Sequence, residues 1–552
     1  MKNGIPIALL ALFGCSGELT PLSQDVPSES ASAADDDSFD NPAPPDAPAC
    51  NQTVSHEPKN LLRLTREQYR NVIADVLAME IPPAEVESIL ALALDDTVGS
   101  FKVNHLPPST AMTDDYLDIA ISLGATTRQR QLSGAIDLDP SGVCPASNFS
   151  GDRGCVEEVV RNLAARLFRA RDVDSEVAHY LTTYDTVRAS ENATAMEAFD
   201  TALAAVWNSP RFIYRVETAD PAGNIDEIGL ATRLSFLIWN SVPDLPLLDL
   251  ATDGALRDNL DSEVRRMLAD PRATRARHRF YEQLLHLEGF GDLELPDDGW
   301  NNELRSALER ETYDFVDYVY DEGDGTVQTL LSADFTVGDA RVAAHYGVDG
   351  PSTDVGRFDL PPERRGLLTQ GSLLAMRGTH FPEVHRALFI RDTIMCDPVP
   401  EVTFDIPDEG AEFRLTEPQC ASCHTFIDPL GFAFLDYDSA GRYDPISDDS
   451  RASLPATPAL NVIAFDSSVA GEISDTTELI SDLSESDDVA ACFAKHWMAY
   501  AFSVTDLDAL EVSCHQYEFT SGFSSSGADL RTLVSRVVND PAFQRKGTEV
   551  SR

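Results

Sequence analysis

Apolar positions in this chain recur every three to four residues through most of its length, and strict alternation is rare. In LLRLTREQYRNVIADVL, Tyr69, Val72, Ile73, Val76 and Leu77 stand at i, i+3, i+4, i+7 and i+8, the stripe of an amphipathic helix. Thr65 and Gln68 have capping-box spacing just before that stripe. The same rhythm returns in VEEVVRNLAARLFRARDVDSEVAHYLTTY, TAMEAFDTALAAVWNSPRFIYRVE, DEIGLATRLSFLIWNSVPD and LDSEVRRMLADPRATRARHRFYEQLLHL. It continues from RRGLLTQGSLLAMRGTHF to IRDTIMCDPVPEV, and ends in ELISDLSESDDVAACFAKHWMAYAFSV and ADLRTLVSRVVNDPAFQRK. Pro, Gly or Asn-Ser punctuates these runs. Two helix exits echo each other, WNSPRF at Trp207 and VNDPAF at Val538, too few matches to define a repeat. The pattern predicts a mainly α fold of several consecutive helical modules. The best candidates for a short hairpin lie between residues 443 and 475.

Composition sets boundaries on this series. Residues 16–57 are rich in Ser, Pro and Asp and nearly free of large apolar side chains, so they read as a disordered linker. Ahead of them, MKNGIPIALLALFGC has one lysine, a short apolar run and Leu-Phe-Gly-Cys, a box similar to a bacterial lipoprotein cleavage site. Cleavage there leaves Cys15 as a lipid anchor on an exported chain. Phe13 is bulkier than the residue usual at its place, so ordinary secretion with Cys15 unmodified stands as the alternative. The expected domains are the signal at 1–15, the linker at 16–57, helical modules at 58–140, 141–218 and 219–350, a module at 351–455 with a CxxCH motif, and a C-terminal helical module at 456–552.

A length of 552 residues exceeds what one core usually organises. The net charge is -50, with five lysines in the whole chain. Such a surface repels phosphate backbones and anionic membranes, which excludes nucleic acid as a partner and leaves membrane contact to the N-terminal lipid.

Export makes disulfides durable, and eight cysteines follow Cys15. Cys144 and Cys155 flank the short loop CPASNFSGDRGC and form a natural local pair. Cys492 and Cys514 bracket a helical stretch and its following turn, which leaves Cys50 for Cys396. Sequence alone does not fix these pairings.

The remaining two belong to CASCHTFIDPLGFAFLDYD. Cys420, Cys423 and His424 fit C-x-x-C-H, the attachment sequence of c-type haem. Two intervening residues set both thiols to add to the vinyl groups of one porphyrin, and the next residue supplies the proximal imidazole. Phe426, Leu430, Phe432, Phe434 and Tyr437 are apolar bodies for a porphyrin wall or, equally, for ordinary core, and Asp428-Pro429 is expected to turn the chain. Three other readings compete. A thioredoxin-like pair wants a preceding strand, which is missing here. A structural zinc site wants a second Cys/His pair. A plain disulfide or a haem-free loop needs nothing further.

CASCHTFIDPLGFAFLDYDSAGRYD resembles the cytochrome-like segment of a family of secreted multidomain proteins, named for planctomycete surface cytochromes and abundant in myxobacteria. They are built from successive PSD/PSCyt domains of unknown function. LLRLTREQYRNVIADVL, RLFRARDVDSEV, NSPRFIYRVE, ATRLSFLIWNSVPDLPLLDLA, ADFTVGDARVAAHYG, RRGLLTQGSLLAM and CFAKHWMAYAFSV with LRTLVSRVVNDPAF are similar to that family's segments in their usual order. The resemblance runs from about residue 58 to 546. It implies an exported protein with one haem c, attached at Cys420 and Cys423 and ligated by His424. One departure is GTHFPEVHRA, with His380 and His385, where the family often has Thr/Ser-Pro-x-x-Arg. For the sixth iron position the chain offers Met376, Met498 and His380, with Met395 also present.

No phosphate-cradling loop or nucleophile elbow occurs, and HFPEVH does not match H-E-x-x-H. The sequence is expected to specify an exported, membrane-tethered, haem-bearing protein for electron transfer or the redox subunit of a surface complex, with an unidentified redox partner. The alternative is a haem-free cell-surface scaffold or binding protein with CxxC as a disulfide. A haem enzyme is a third possibility and requires an open sixth position. No independent catalytic motif is present.

Overall fold

The structure is a computed structural model. It describes residues 62–79, 96–98, 101–103, 110–144, 149, 151–297, 299–351, 354–399, 411–446, 461–462, 469, 471–473, 475–502 and 514–545. The lipoprotein-type signal, Cys15, the linker and Cys50 lie outside these residues.

The first helix runs over Arg66–Leu77, as its stripe requires, and its cap is reciprocal. The Thr65 hydroxyl accepts from the backbone N–H of Gln68 at 3.2 Å, while the Gln68 side chain accepts from the backbone N–H of Thr65 at 3.1 Å. Tyr69, Val72, Ile73, Val76 and Leu77 are all buried. They share one core with helices Thr110–Leu132, Arg153–Leu167, Asp174–Arg188 and Ala195–Trp207. A two-residue ladder between Leu62–Arg63 and Tyr214–Arg215 ties the start of this group to its end. Arg169, buried and in the left-handed region, braces the same corner by donating to the carbonyls of Phe212, Arg211 and Tyr214. Trp207 ends one helix and Asn539 another, so both echoed motifs mark helix exits.

The largest core is assembled from distant parts of the chain. Helices Glu227–Ile238, Leu260–Leu268, Arg272–Leu284 and Asn302–Asp321 contribute to it. So do Pro382–Phe389, Pro418–Phe432, Thr476–Glu485, Asp487–Phe502 and Leu533–Asn539. The C-terminal segment returns to residues 224–233, where the Ile225 N–H donates to the Gln544 carbonyl at 3.1 Å. A smaller core gathers Phe290, Trp300, Leu308, Val342, Tyr346 and Phe358. Beside it Glu311 is fully buried, accepting from Tyr346 at 2.6 Å and Thr336 at 2.8 Å, and burial pushes its pKa up to about 7.

The fold is mainly α, with four two-stranded antiparallel ladders among the described residues. One pairs Asn461–Val462 with Gly471–Glu472, inside the stretch where the sequence suggests a hairpin. No described helix is long and apolar enough to cross a membrane.

Cys144 is joined to Cys155. The second bridge corrects the expected pairing, because Cys396 joins Cys492, leaving neither for Cys50 or Cys514. The reason is tertiary. Helix Asp487–Phe502 packs on the Ile390–Ile394 turn, where His496 Nε2 lies 2.8 Å from the Thr393 carbonyl, and this brings Cys492 to Cys396 across 96 residues. The side chain of Cys514 lies outside the described residues.

Candidate functional site

Cys420, Cys423 and His424 lie on helix Pro418–Phe432, whose first residue is a proline, where its missing N–H is harmless. A spacing of three residues sets Cys420 and Cys423 on one helical face. Both thiols are free and half-buried, whereas Cys144, Cys155, Cys396 and Cys492 are in disulfides. His424 Nδ1 lies 2.7 Å from Asp428 Oδ1, one turn further along. Asp428 is 0% exposed. Its other oxygen accepts from Arg414 Nε at 3.2 Å, and Arg414 also donates to Glu383 Oε1 at 2.7 Å. Arg414 in turn stacks over the ring of Phe381, 4.7 Å from its centroid. Three segments therefore fix one imidazole: its own helix, helix Ala411–Thr416 and helix Pro382–Phe389.

Asp428-Pro429 does not turn the chain. The helix runs through Pro429 to Phe432. A proline here removes the N–H that would bond the Thr425 carbonyl, a local penalty. Burial of Ile427, Leu430 and Phe432 outweighs it. Leu430, Phe434 and Tyr437 belong to the large core and Phe432 is equally buried, so only Phe426 of that apolar set is exposed.

Helix Pro382–Phe389 crosses the cysteine-bearing helix closely. A Cβ on Gly431 would lie 1.7 Å from the Glu383 carbonyl oxygen. Further on, Arg391 Nε donates to the Phe426 carbonyl at 3.0 Å, so the two segments run antiparallel. Arg386, almost fully buried, donates to the carbonyls of Phe434 and Tyr437 at 3.0 Å, Leu374 at 3.2 Å and Asp438 at 2.8 Å. It fastens the chain leaving the cysteine-bearing helix to the helix beneath.

A cavity of about 590 Å³ is lined in part by helix Pro382–Phe389, through His385, Leu388 and Phe389. Met376 and His380, both sequence candidates for the sixth iron position, line it together with His286, His385 and Asp392. Burial and nearby Arg377 push the His286 pKa down, and burial does the same to His385. Burial raises Asp392. His286 and His380 both adopt left-handed backbone, at φ 53° and 46°, a conformation that concentrates at functional sites. His286 and Asp392 carry no local motif, so nothing in the sequence points to them. Cys420, Cys423 and His424 do not line this cavity, and Met498 is packed in the large core. Met395 is also in that core.

Three family models match the chain. In sequence order they are PSD5 (protein of unknown function, DUF1595) at residues 155–217, PSD4 (protein of unknown function, DUF1592) at 225–348, and PSCyt3 (protein of unknown function, DUF1588) at 364–445. They support the PSD/PSCyt resemblance, and the third spans the cavity-lining histidines His380 and His385, Arg386 and the whole cysteine-bearing helix. No curated protein and no solved structure matches.

For a c-type haem the donor set is chemically apt. Cys420 and Cys423 would hold the porphyrin through thioethers, and His424, its Nδ1 engaged by Asp428, would offer Nε2 to the iron.

Proposed function

We propose that this chain is an exported, membrane-tethered protein that carries one haem c on Cys420 and Cys423, with His424 as the proximal ligand. It serves electron transfer or acts as the redox subunit of a surface complex. The observation that supports this reading best is one helix presenting two free thiols and an adjacent imidazole already held by a buried carboxylate. When bound, the haem supplies a reversible one-electron couple. The chain's own part is to fix the imidazole through Asp428 and Arg414. Arg386 and the close crossing at Gly431 hold the cysteine-bearing helix against its neighbour.

The test is expression with export and a haem-maturation system, followed by intact mass, haem stain after denaturing electrophoresis and the reduced-minus-oxidised spectrum. Covalent haem that is lost on changing Cys420 and Cys423 to Ala supports the proposal, and wild-type protein without haem refutes it. The second reading is a haem-free scaffold with CxxC as a disulfide. The Cys396–Cys492 bridge is compatible with it, since that bridge braces two segments of the large core without any cofactor. Carbon monoxide binding to the ferrous protein separates an open sixth position, suited to a haem enzyme, from a six-coordinate carrier.

A further inference from the structure

Asp428 is an unusual partner for a histidine one turn away. An exposed i,i+4 pair is a weak surface contact worth a few tenths of a kcal/mol. Here the carboxylate is 0% exposed, beside an imidazole that is itself only 14% exposed. Each of its oxygens has a separate partner, His424 Nδ1 at Oδ1 and the donating Arg414 Nε at Oδ2. Arg414 is itself shared with Glu383, so the line reads Glu383, Arg414, Asp428, His424, with charges alternating up to the ring.

Two consequences follow from elementary chemistry. An ionised carboxylate accepts and never donates, so the proton of neutral His424 is on Nδ1, and the lone pair is on Nε2. A charged acceptor also draws that proton more strongly than a backbone carbonyl does, which raises the basicity of the opposite nitrogen. Arg414 limits the effect by sharing the carboxylate's charge.

We infer that Asp428 is the positioning residue for His424, selecting the Nδ1–H tautomer and enriching Nε2 as a ligand, and that Arg414 sets how strongly it does so. The effect on an iron rests on the haem reading above; the choice of tautomer does not. Through the ligand nitrogen, Asp428 stabilises the oxidised metal and lowers its potential, while Arg414 works in the opposite direction.

The experiment uses the exported full chain and the variants Asp428→Asn, which is isosteric, and Arg414→Gln, which removes the guanidinium charge. In protein purified without haem, nitrogen-15 NMR of the imidazoles reads the His424 tautomer directly. Wild type shows the Nδ1–H form, and Asp428→Asn loses that preference. An unchanged tautomer in Asp428→Asn, or an Nε2–H form in the wild type, overturns the inference whether or not haem is ever bound. In haem-loaded protein, Asp428→Asn shifts the midpoint potential upward and Arg414→Gln shifts it downward, each at unchanged haem content by intact mass. A merely structural role for the pair predicts shifts of one sign or none, and that result also overturns the inference. Haem missing from the wild type overturns the haem reading alone, because the tautomer measurement still decides the role of Asp428.

Discussion

Replacing Arg386 by Met removes a guanidinium while keeping most of its aliphatic stem, so the change isolates the four hydrogen bonds to Leu374, Phe434, Tyr437 and Asp438. The four acceptors do not suffer equally. The Phe434 carbonyl also accepts from the Tyr437 N–H at 3.2 Å, and that of Asp438 from the Gly441 N–H at 3.1 Å. The loss therefore concentrates on Leu374 and Tyr437. Stripping a buried carbonyl of its donor costs roughly 1–3 kcal/mol, so two give roughly 2–6 kcal/mol. Relief works against this, since burial already pushes the Arg386 pKa down to about 10, a sign that the guanidinium is poorly solvated where it is. A net loss of about 3 kcal/mol remains, equivalent to about a hundredfold change in an opening equilibrium. Hydrogen exchange reads that opening locally. Peptides covering residues 432–446 exchange about a hundredfold faster in Arg386→Met, while those of the Arg153–Leu167 helix, in a separate core, keep their rates. Exchange at 432–446 within about threefold of wild type refutes the reasoning, because it limits the whole contribution to well under 1 kcal/mol.

Three other perturbations test the structure elsewhere. The Glu311 carboxyl titrates near about 7 when folded, against 4.5 for its unperturbed value, so the folded protein holds that proton over a range where the unfolded chain has released it. This contribution is complete below about pH 4.5, declines as pH rises to about 7 and is flat beyond, a total on the order of 3 kcal/mol. In Glu311→Gln the decline disappears, which urea midpoints at about pH 5 and about pH 8 will reveal; equal slopes in variant and wild type contradict the assignment. Gly431→Ala places a methyl group against the Glu383 backbone, and overpacking of this kind costs roughly 1–3 kcal/mol, so its urea midpoint falls while a Gly291→Ala control, with open space around the added methyl and no left-handed backbone, keeps the wild-type midpoint. Proteolysis without reduction yields a Cys396–Cys492 peptide pair, and replacing both by Ser lowers stability by about 4–5 kcal/mol on the loop-entropy argument for a separation of 96 residues. A Cys492–Cys514 peptide in that digest contradicts the bridge.

Helices such as Arg66–Leu77 were legible because the causes of a helix are local. Its stripe, its capping residues and its length all lie within a dozen neighbours, and the structure adds only the partner that the stripe faces. The Cys144–Cys155 spacing is legible for the same reason, since a short loop keeps two thiols near each other in any fold. Pro429 shows where local rules fail. Its own chemistry breaks a helix, and the burial of Leu430 and Phe432 in the folded chain holds the helix together across it.

By itself, then, the sequence determined the mainly helical class, the spacing of Cys420, Cys423 and His424, and the net charge of -50. Only the tertiary structure decided that Cys396 meets Cys492, that His286 and Asp392 join Met376 and His380 around one cavity, and that Arg414 reaches Asp428. The division follows range. Periodicity and short spacings are fixed by bonds a few residues long, whereas a buried carboxylate acquires its second donor only when helices from different parts of the chain pack together and exclude the water that would otherwise solvate it.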